Sequence, residues 1–229
     1  EILIGLVGSE MCIRDSITFE GKIKKNDNEP IIVIGFENNN DGYSNIKKQA
    51  KMMNQAFEAL QNKYNFNNFK GLAHSNGGLI YTAFIENYLS DYDVKINSLM
   101  TIGTPYNFTE TNIKNKSVML ADFIAAKKNI PSTLHVYSVA GTITYDSDEL
   151  VPDASVSAGK YIYQNQAKSY TEITVTGEDA QHSDLPTNDE VVELVKQHIE
   201  GQGVRKKQKT KLEPQCCLLY TSDAADEED

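Results

Sequence analysis

Cysteine is scarce in this chain, with three among 229 residues. Cys12, Cys216 and Cys217 all lie in or beside end segments that do not read as folded protein. A disulfide framework and a cysteine-ligated metal site are thereby excluded. Long apolar runs are also missing: the opening Glu-Ile-Leu-Ile-Gly-Leu-Val-Gly is too short to span a bilayer and lacks the basic start of a signal peptide. No internal repeat is evident.

The two ends are related to each other. One back-translation of Met11-Cys12-Ile13-Arg14-Asp15-Ser16 is the reverse complement of one for Cys217-Leu218-Leu219-Tyr220-Thr221-Ser222, the relationship expected of a transposon adapter carried into a reading frame. Residues 1–16 and 217–229 are therefore read as non-native, leaving a domain over 17–201 and a tail over 202–229 whose lysine-rich start is a solvated segment. The formal net charge of −10 falls to −3 once those ends are set aside. Near balance of charge supplies no argument for nucleic acid or an anionic membrane as a partner. The length suits one α/β domain with a sizeable core.

Pro30-Ile31-Ile32-Val33-Ile34-Gly35-Phe36 has the length and β-branched content of a central strand buried on both faces. From Ser44 to about Lys63, Ile46, Met53, Ala56, Phe57 and Leu60 recur at helical spacing. The unit repeats, with strands over 69–73, 98–103, 134–140 and 170–176 and helices over 76–89 and 188–199. Alternation of this kind predicts a mostly parallel sheet with helices on both faces. An insertion at about 105–131, with a short amphipathic segment around 119–126, is placed to shape a pocket.

Gly71-Leu72-Ala73-His74-Ser75-Asn76-Gly77-Gly78 lies where a strand should end and a helix begin. This resembles a nucleophile elbow, which holds its serine in a strained backbone and needs small residues two positions to either side, here Ala73 and Gly77. The plain alternative is a glycine-rich turn with an incidental serine. The backbone N–H of Asn76 would supply one oxyanion donor. His182, in a loop between the last strand and the last helix, is the expected base. His74, His135 and His198 are read as structural, His74 because it should point away from the base.

The acid should follow the strand ending near Ala140, where Asp148 precedes Val151-Pro152 at a suitable spacing and Asp146 is the reserve. A calcium loop is the rival for this acidic cluster, but the sixth-position glycine and terminal glutamate of an EF-hand are absent. No metal or cofactor is expected. The order Ser, Asp, His is that of α/β hydrolases.

With those residues in view, the stretch from about Pro30 to Ile199 resembles the α/β-hydrolase family of unknown function common in Gram-positive bacteria. The marks are Ile31-Ile32-Val33-Ile34-Gly35-Phe36-Glu37-Asn38-Asn39, Ala73-His74-Ser75-Asn76-Gly77-Gly78, Ile102-Gly103-Thr104-Pro105 and Asp179-Ala180-Gln181-His182-Ser183. The resemblance implies an α/β-hydrolase fold and acyl hydrolysis, and an exported or cell-surface location. It also implies an earlier strand ending in a His-Gly loop that gives the second oxyanion donor; that strand is expected to be missing here, which would cost about a hundredfold to a thousandfold in turnover. Ala73 and Glu149 stand where relatives often have glycine. The expected substrate is a small or lipid-like acyl compound, an ester first; a peptidase or amidase and a non-catalytic binding module of the same fold stay open.

Overall fold

The computed structural model describes residues 2–6, 17, 19, 21–23, 27, 29–36, 40–144 and 146–200. Within them six strands form one sheet, β1 (Ile2–Leu6), β2 (Ile31–Ile34), β3 (Asn68–His74), β4 (Lys95–Ile102), β5 (His135–Thr142) and β6 (Ser169–Thr176). Their order is β2-β1-β3-β4-β5-β6, and every neighbouring pair is parallel. The helices are α1 (Tyr43–Tyr64), α2 (Asn76–Asn87), α3 (Val118–Ala126), the short α4 (Asp153–Ser157) and α5 (Lys160–Tyr163), and α6 (Asp189–His198).

Side chains alternate across a strand, so a sheet covered twice needs two apolar sets. On one face Phe69, Leu99 and Val136 join α1, α2 and α3 in the larger core. On the other, Met100, Ile102 and Val139 meet Val191 of α6. α1 buries Ile46, Ala50, Met53, Phe57 and Leu60 along one stripe. Phe57 anchors it, with its ring 5.0 Å from those of Phe69, Phe84 and Tyr92. Asn65, in the left-handed conformation, closes the helix by donating its N–H to the Gln61 carbonyl. α6 starts where Asn188 accepts from the N–H groups of Glu190 and Val191.

Two expectations are corrected. The sequence sets Ile2–Leu6 outside the domain and predicts that the N-terminal strand is missing, but these residues form a strand paired on both sides, to Ile31–Ile34 and to Phe69–Ala73. The reason is backbone pairing: the slot between β2 and β3 offers two parallel hydrogen-bonding edges to one extended segment. The remainder of the first non-native segment, 7–16, and the whole tail over 202–229, with its non-native end 217–229, lie outside the described residues. The second correction concerns Ile31–Ile34, which is an edge strand and not a central one, with Ile31 63% and Val33 57% exposed. An apolar run fixes a strand's composition, whereas its place in the sheet depends on which strand pairs beside it.

Glu86 is the charged-type residue most at odds with its surroundings. It lies on the core side of α2, 3% exposed, and its Oε1 has no hydrogen-bond partner among the described residues. Burial pushes its carboxyl from 4.5 up to about 9. The folded protein therefore keeps a proton that the unfolded chain releases, so this group favours folding most below pH 4.5 and progressively less as pH rises to about 9. Glu86→Gln should match the parent in urea midpoint near pH 4 and exceed it at pH 8. A parent-to-variant difference that does not widen with pH would contradict this.

Candidate active site

All strands run the same way, so the ends of β3, β4 and β5 open on one edge of the sheet, and the motif residues gather there. Ser75 follows β3 directly and caps α2 with φ 54° and ψ −130°. That is a left-handed-side conformation which a non-glycine residue adopts only under constraint. Three contacts supply it: the Ser75 N–H donates to the Ile102 carbonyl (2.8 Å), and the Ser75 carbonyl accepts from the Gly78 N–H (3.0 Å) and from Thr104 Oγ1 (3.0 Å). Ala73 is buried in β3.

A steric limit that the sequence reading missed falls on Gly78. A Cβ there would stand 2.1 Å from Thr104 Oγ1 and 2.7 Å from its Cγ2. The Gly-Gly pair after the serine was the available signal, but Thr104 as the partner is visible only in three dimensions.

His182 reaches Ser75 from the loop between β6 and α6, placing Nε2 3.0 Å from Ser75 Oγ. Its Nδ1 lies 2.7 Å from Asp148 Oδ2. Ionised carboxylate oxygens accept, so Nδ1 carries the proton and Nε2 is left to accept from the serine hydroxyl. Asp148 is fully buried, and its other oxygen, Oδ1, accepts from the N–H groups of Leu150 (3.1 Å) and Val151 (2.6 Å). The His182 N–H donates in turn to the Asp148 carbonyl, 2.9 Å away. Asp146 is tied through its backbone carbonyl to the Asp153 N–H, and its carboxylate makes no hydrogen bond to His182. Gly103, at φ 57°, lies beneath this pair; a Cβ on it would come 3.1 Å from the His182 ring and 3.3 Å from Asp148 Oδ2.

Asn76 is the first residue of α2, so its N–H has no partner inside the helix. Its side chain donates to Asp41 Oδ1 at 2.7 Å, linking the turn to the loop before α1. The chain contains no His-Gly pair of the kind the resemblance implies for a second oxyanion donor, and residues 7–16, which follow β1, lie outside the described residues.

His74 needs correcting. It does not point away from the base: its ring lies 4.7 Å from that of His182, and its Nε2 is 2.9 Å from the His182 carbonyl. Because the base comes from 108 residues further along the chain, local strand geometry gives no sign of this contact. His135 pairs with Ser169 (2.7 Å) and His198 stacks on Tyr137. The insertion contains an open cleft of about 440 Å³ between Asn107 and Ser117, and none of Ser75, Asp148 and His182 lines it. No group of three or more metal-ligating side chains occurs among the described residues, and no helix there is long and apolar enough to cross a membrane.

A parallel sheet covered on both faces, with a strained serine between a strand and a helix and a histidine brought back to it, defines an α/β hydrolase. The chain belongs to the family described as alpha/beta hydrolase of unknown function (DUF915), which matches residues 11–202. A provisionally assigned cell surface hydrolase from Lactobacillus plantarum WCFS1 is 43% identical over 86% of this chain and 89% of its own, with a TM-score of 0.75. A Listeria innocua gene product is 29% identical over 90% and 83%, with a TM-score of 0.75. No curated protein sequence matches the chain. These similarities support a hydrolase and leave the substrate open.

Gly78→Ala should lower stability by about 1–3 kcal/mol, the usual penalty for forcing a methyl into a filled site. Thermal unfolding checks this, and an unchanged midpoint would show that Thr104 can move aside.

Proposed function

We propose that the chain is a serine hydrolase acting on an ester or related acyl substrate, with Ser75 as nucleophile, His182 as general base and Asp148 as the acid partner. One observation carries this reading: the unbroken series from Ser75 Oγ to His182 Nε2 (3.0 Å) and from His182 Nδ1 to Asp148 Oδ2 (2.7 Å), at a serine held in a strained turn.

In this scheme His182 Nε2 takes the Ser75 proton as Oγ bonds to the acyl carbon. The carbonyl π electrons move to oxygen, where the Asn76 N–H donates to the developing charge. Collapse of the tetrahedral intermediate breaks the bond to the leaving group, which receives the proton from imidazolium. Water, deprotonated by the same nitrogen, then attacks the acyl carbon, and collapse of the second tetrahedral intermediate breaks the bond to Oγ, which takes the proton back from imidazolium as the acid product leaves. Asp148 keeps the proton on Nδ1 throughout and offsets the imidazolium charge. The Lactobacillus relative's cell surface assignment supports an exported location.

A fluorophosphonate probe should label the chain at Ser75, as mapped by mass spectrometry, and labelling should vanish in His182→Ala. A folded parent that does not label would favour a non-catalytic binding module. Ser75→Ala and Asp148→Asn should each lower turnover of 4-nitrophenyl butyrate by about four orders of magnitude, while Asp146→Asn should stay near the parent. If Asp146→Asn proves the more damaging, the acid is misassigned.

A further inference from the structure

His74 takes no part in the scheme above, yet it touches the proposed base in two ways. Its Nε2 is 2.9 Å from the His182 carbonyl oxygen. A carbonyl oxygen only accepts, so the imidazole of His74 donates from Nε2. Its ring also packs against that of His182, with centroids 4.7 Å apart and planes inclined at 39°.

The placement of the two residues gives these contacts a purpose. His74 ends β3 and is bonded covalently to Ser75, so it moves with the nucleophile. His182 sits in a loop of short turns after β6, and apart from the Ser75 Oγ contact its other hydrogen bonds run to Asp148, itself in a loop. Those contacts fix the base to the acid loop but do not tie either loop to the strand that carries the nucleophile. His74 joins the base directly to the nucleophile's strand.

We propose that His74 is a positioning residue, a neutral clamp that fixes the His182 backbone and supports its ring so that Nε2 stays within reach of Ser75 Oγ. The inference rests on the serine-hydrolase reading.

Neutrality matters for this role. Burial, with the neighbouring His182 as the next cause, lowers the His74 pKa from 6.5 to about 4. Around neutral pH the ring thus places no positive charge against the imidazolium that His182 becomes in each turnover. A lysine or arginine could donate to the same carbonyl but would oppose that charge.

Three variants separate the clamp from mere packing. Gln carries an amide nitrogen at about the reach of the imidazole Nε2, Asn is too short, and Phe keeps a ring without a donor. With 4-nitrophenyl butyrate, His74→Asn and His74→Phe should lose about tenfold to a hundredfold in kcat with KM within about twofold, the scale of effect expected when a catalytic group is displaced by about an ångström. His74→Gln should return to within about threefold of the parent. Fluorophosphonate labelling rates at Ser75 should follow the same ranking, with thermal midpoints showing that each variant is folded. If His74→Phe does not fold, the comparison of Asn with Gln decides. Variants that turn over at the parent rate, or a Gln variant no better than Asn, would overturn the clamp while leaving a labelled Ser75 in place. A parent that does not label at Ser75 would overturn the serine-hydrolase reading, and the clamp with it.

Discussion

Holding a serine at φ 54° and ψ −130° costs on the order of 1–3 kcal/mol relative to a relaxed backbone, and the surrounding structure is arranged to sustain that conformation. The restraint comes from three directions. β4 accepts the Ser75 N–H through Ile102, α2 returns the Gly78 N–H to the Ser75 carbonyl, and Thr104, just past the end of β4, adds its hydroxyl. Thr104 can approach only because Gly78 has no side chain. The turn is thus fixed by its neighbour strand as much as by its own sequence, and a parallel pairing of β3 with β4 is what brings both strand ends to the same place.

The proposed base and acid are set by a second group of contacts that shares few members with the first. Asp148 is oriented through Oδ1 by two backbone N–H groups and uses Oδ2 for His182. A carboxylate fixed in this way leaves little freedom in the imidazole it holds, because the His182 N–H also donates to the Asp148 carbonyl. Gly103 then limits the ring from below, its left-handed φ and missing Cβ leaving the space that His182 and Asp148 fill. Strain in the Ser75 turn and order in the acid and base loops meet at the hydrogen bond between Oγ and Nε2.

Much of this was legible in the sequence, and the limits have physical causes. The alternation of strands and helices and the buried stripe of α1 follow from short-range periodicity, which a sequence states directly. Ser75, Asp148 and His182 could be singled out because each lies in the segment that follows a strand and their chain order fits one fold. What failed was long-range. The edge position of Ile31–Ile34 depends on Ile2–Leu6 pairing next to it, the restriction at Gly78 depends on Thr104, and the contact of His74 depends on a residue from the last quarter of the chain. None of these leaves a local pattern.

Glu149 shows how one residue can look anomalous by local rules and still fit the site. Its φ of 78° is one that glycine adopts without strain and that a residue with a Cβ rarely takes. Its side chain supplies what glycine would lack: the carboxylate accepts from Gln181 Nε2, and Gln181 immediately precedes His182. The acid and base loops are therefore joined by the Asp148–His182 contacts and again by Glu149–Gln181. A glycine would relieve the backbone by about 1–2 kcal/mol and forfeit the second tie. The same balance operates at Ser75, where backbone strain is accepted because the side chain it presents has a partner across the site.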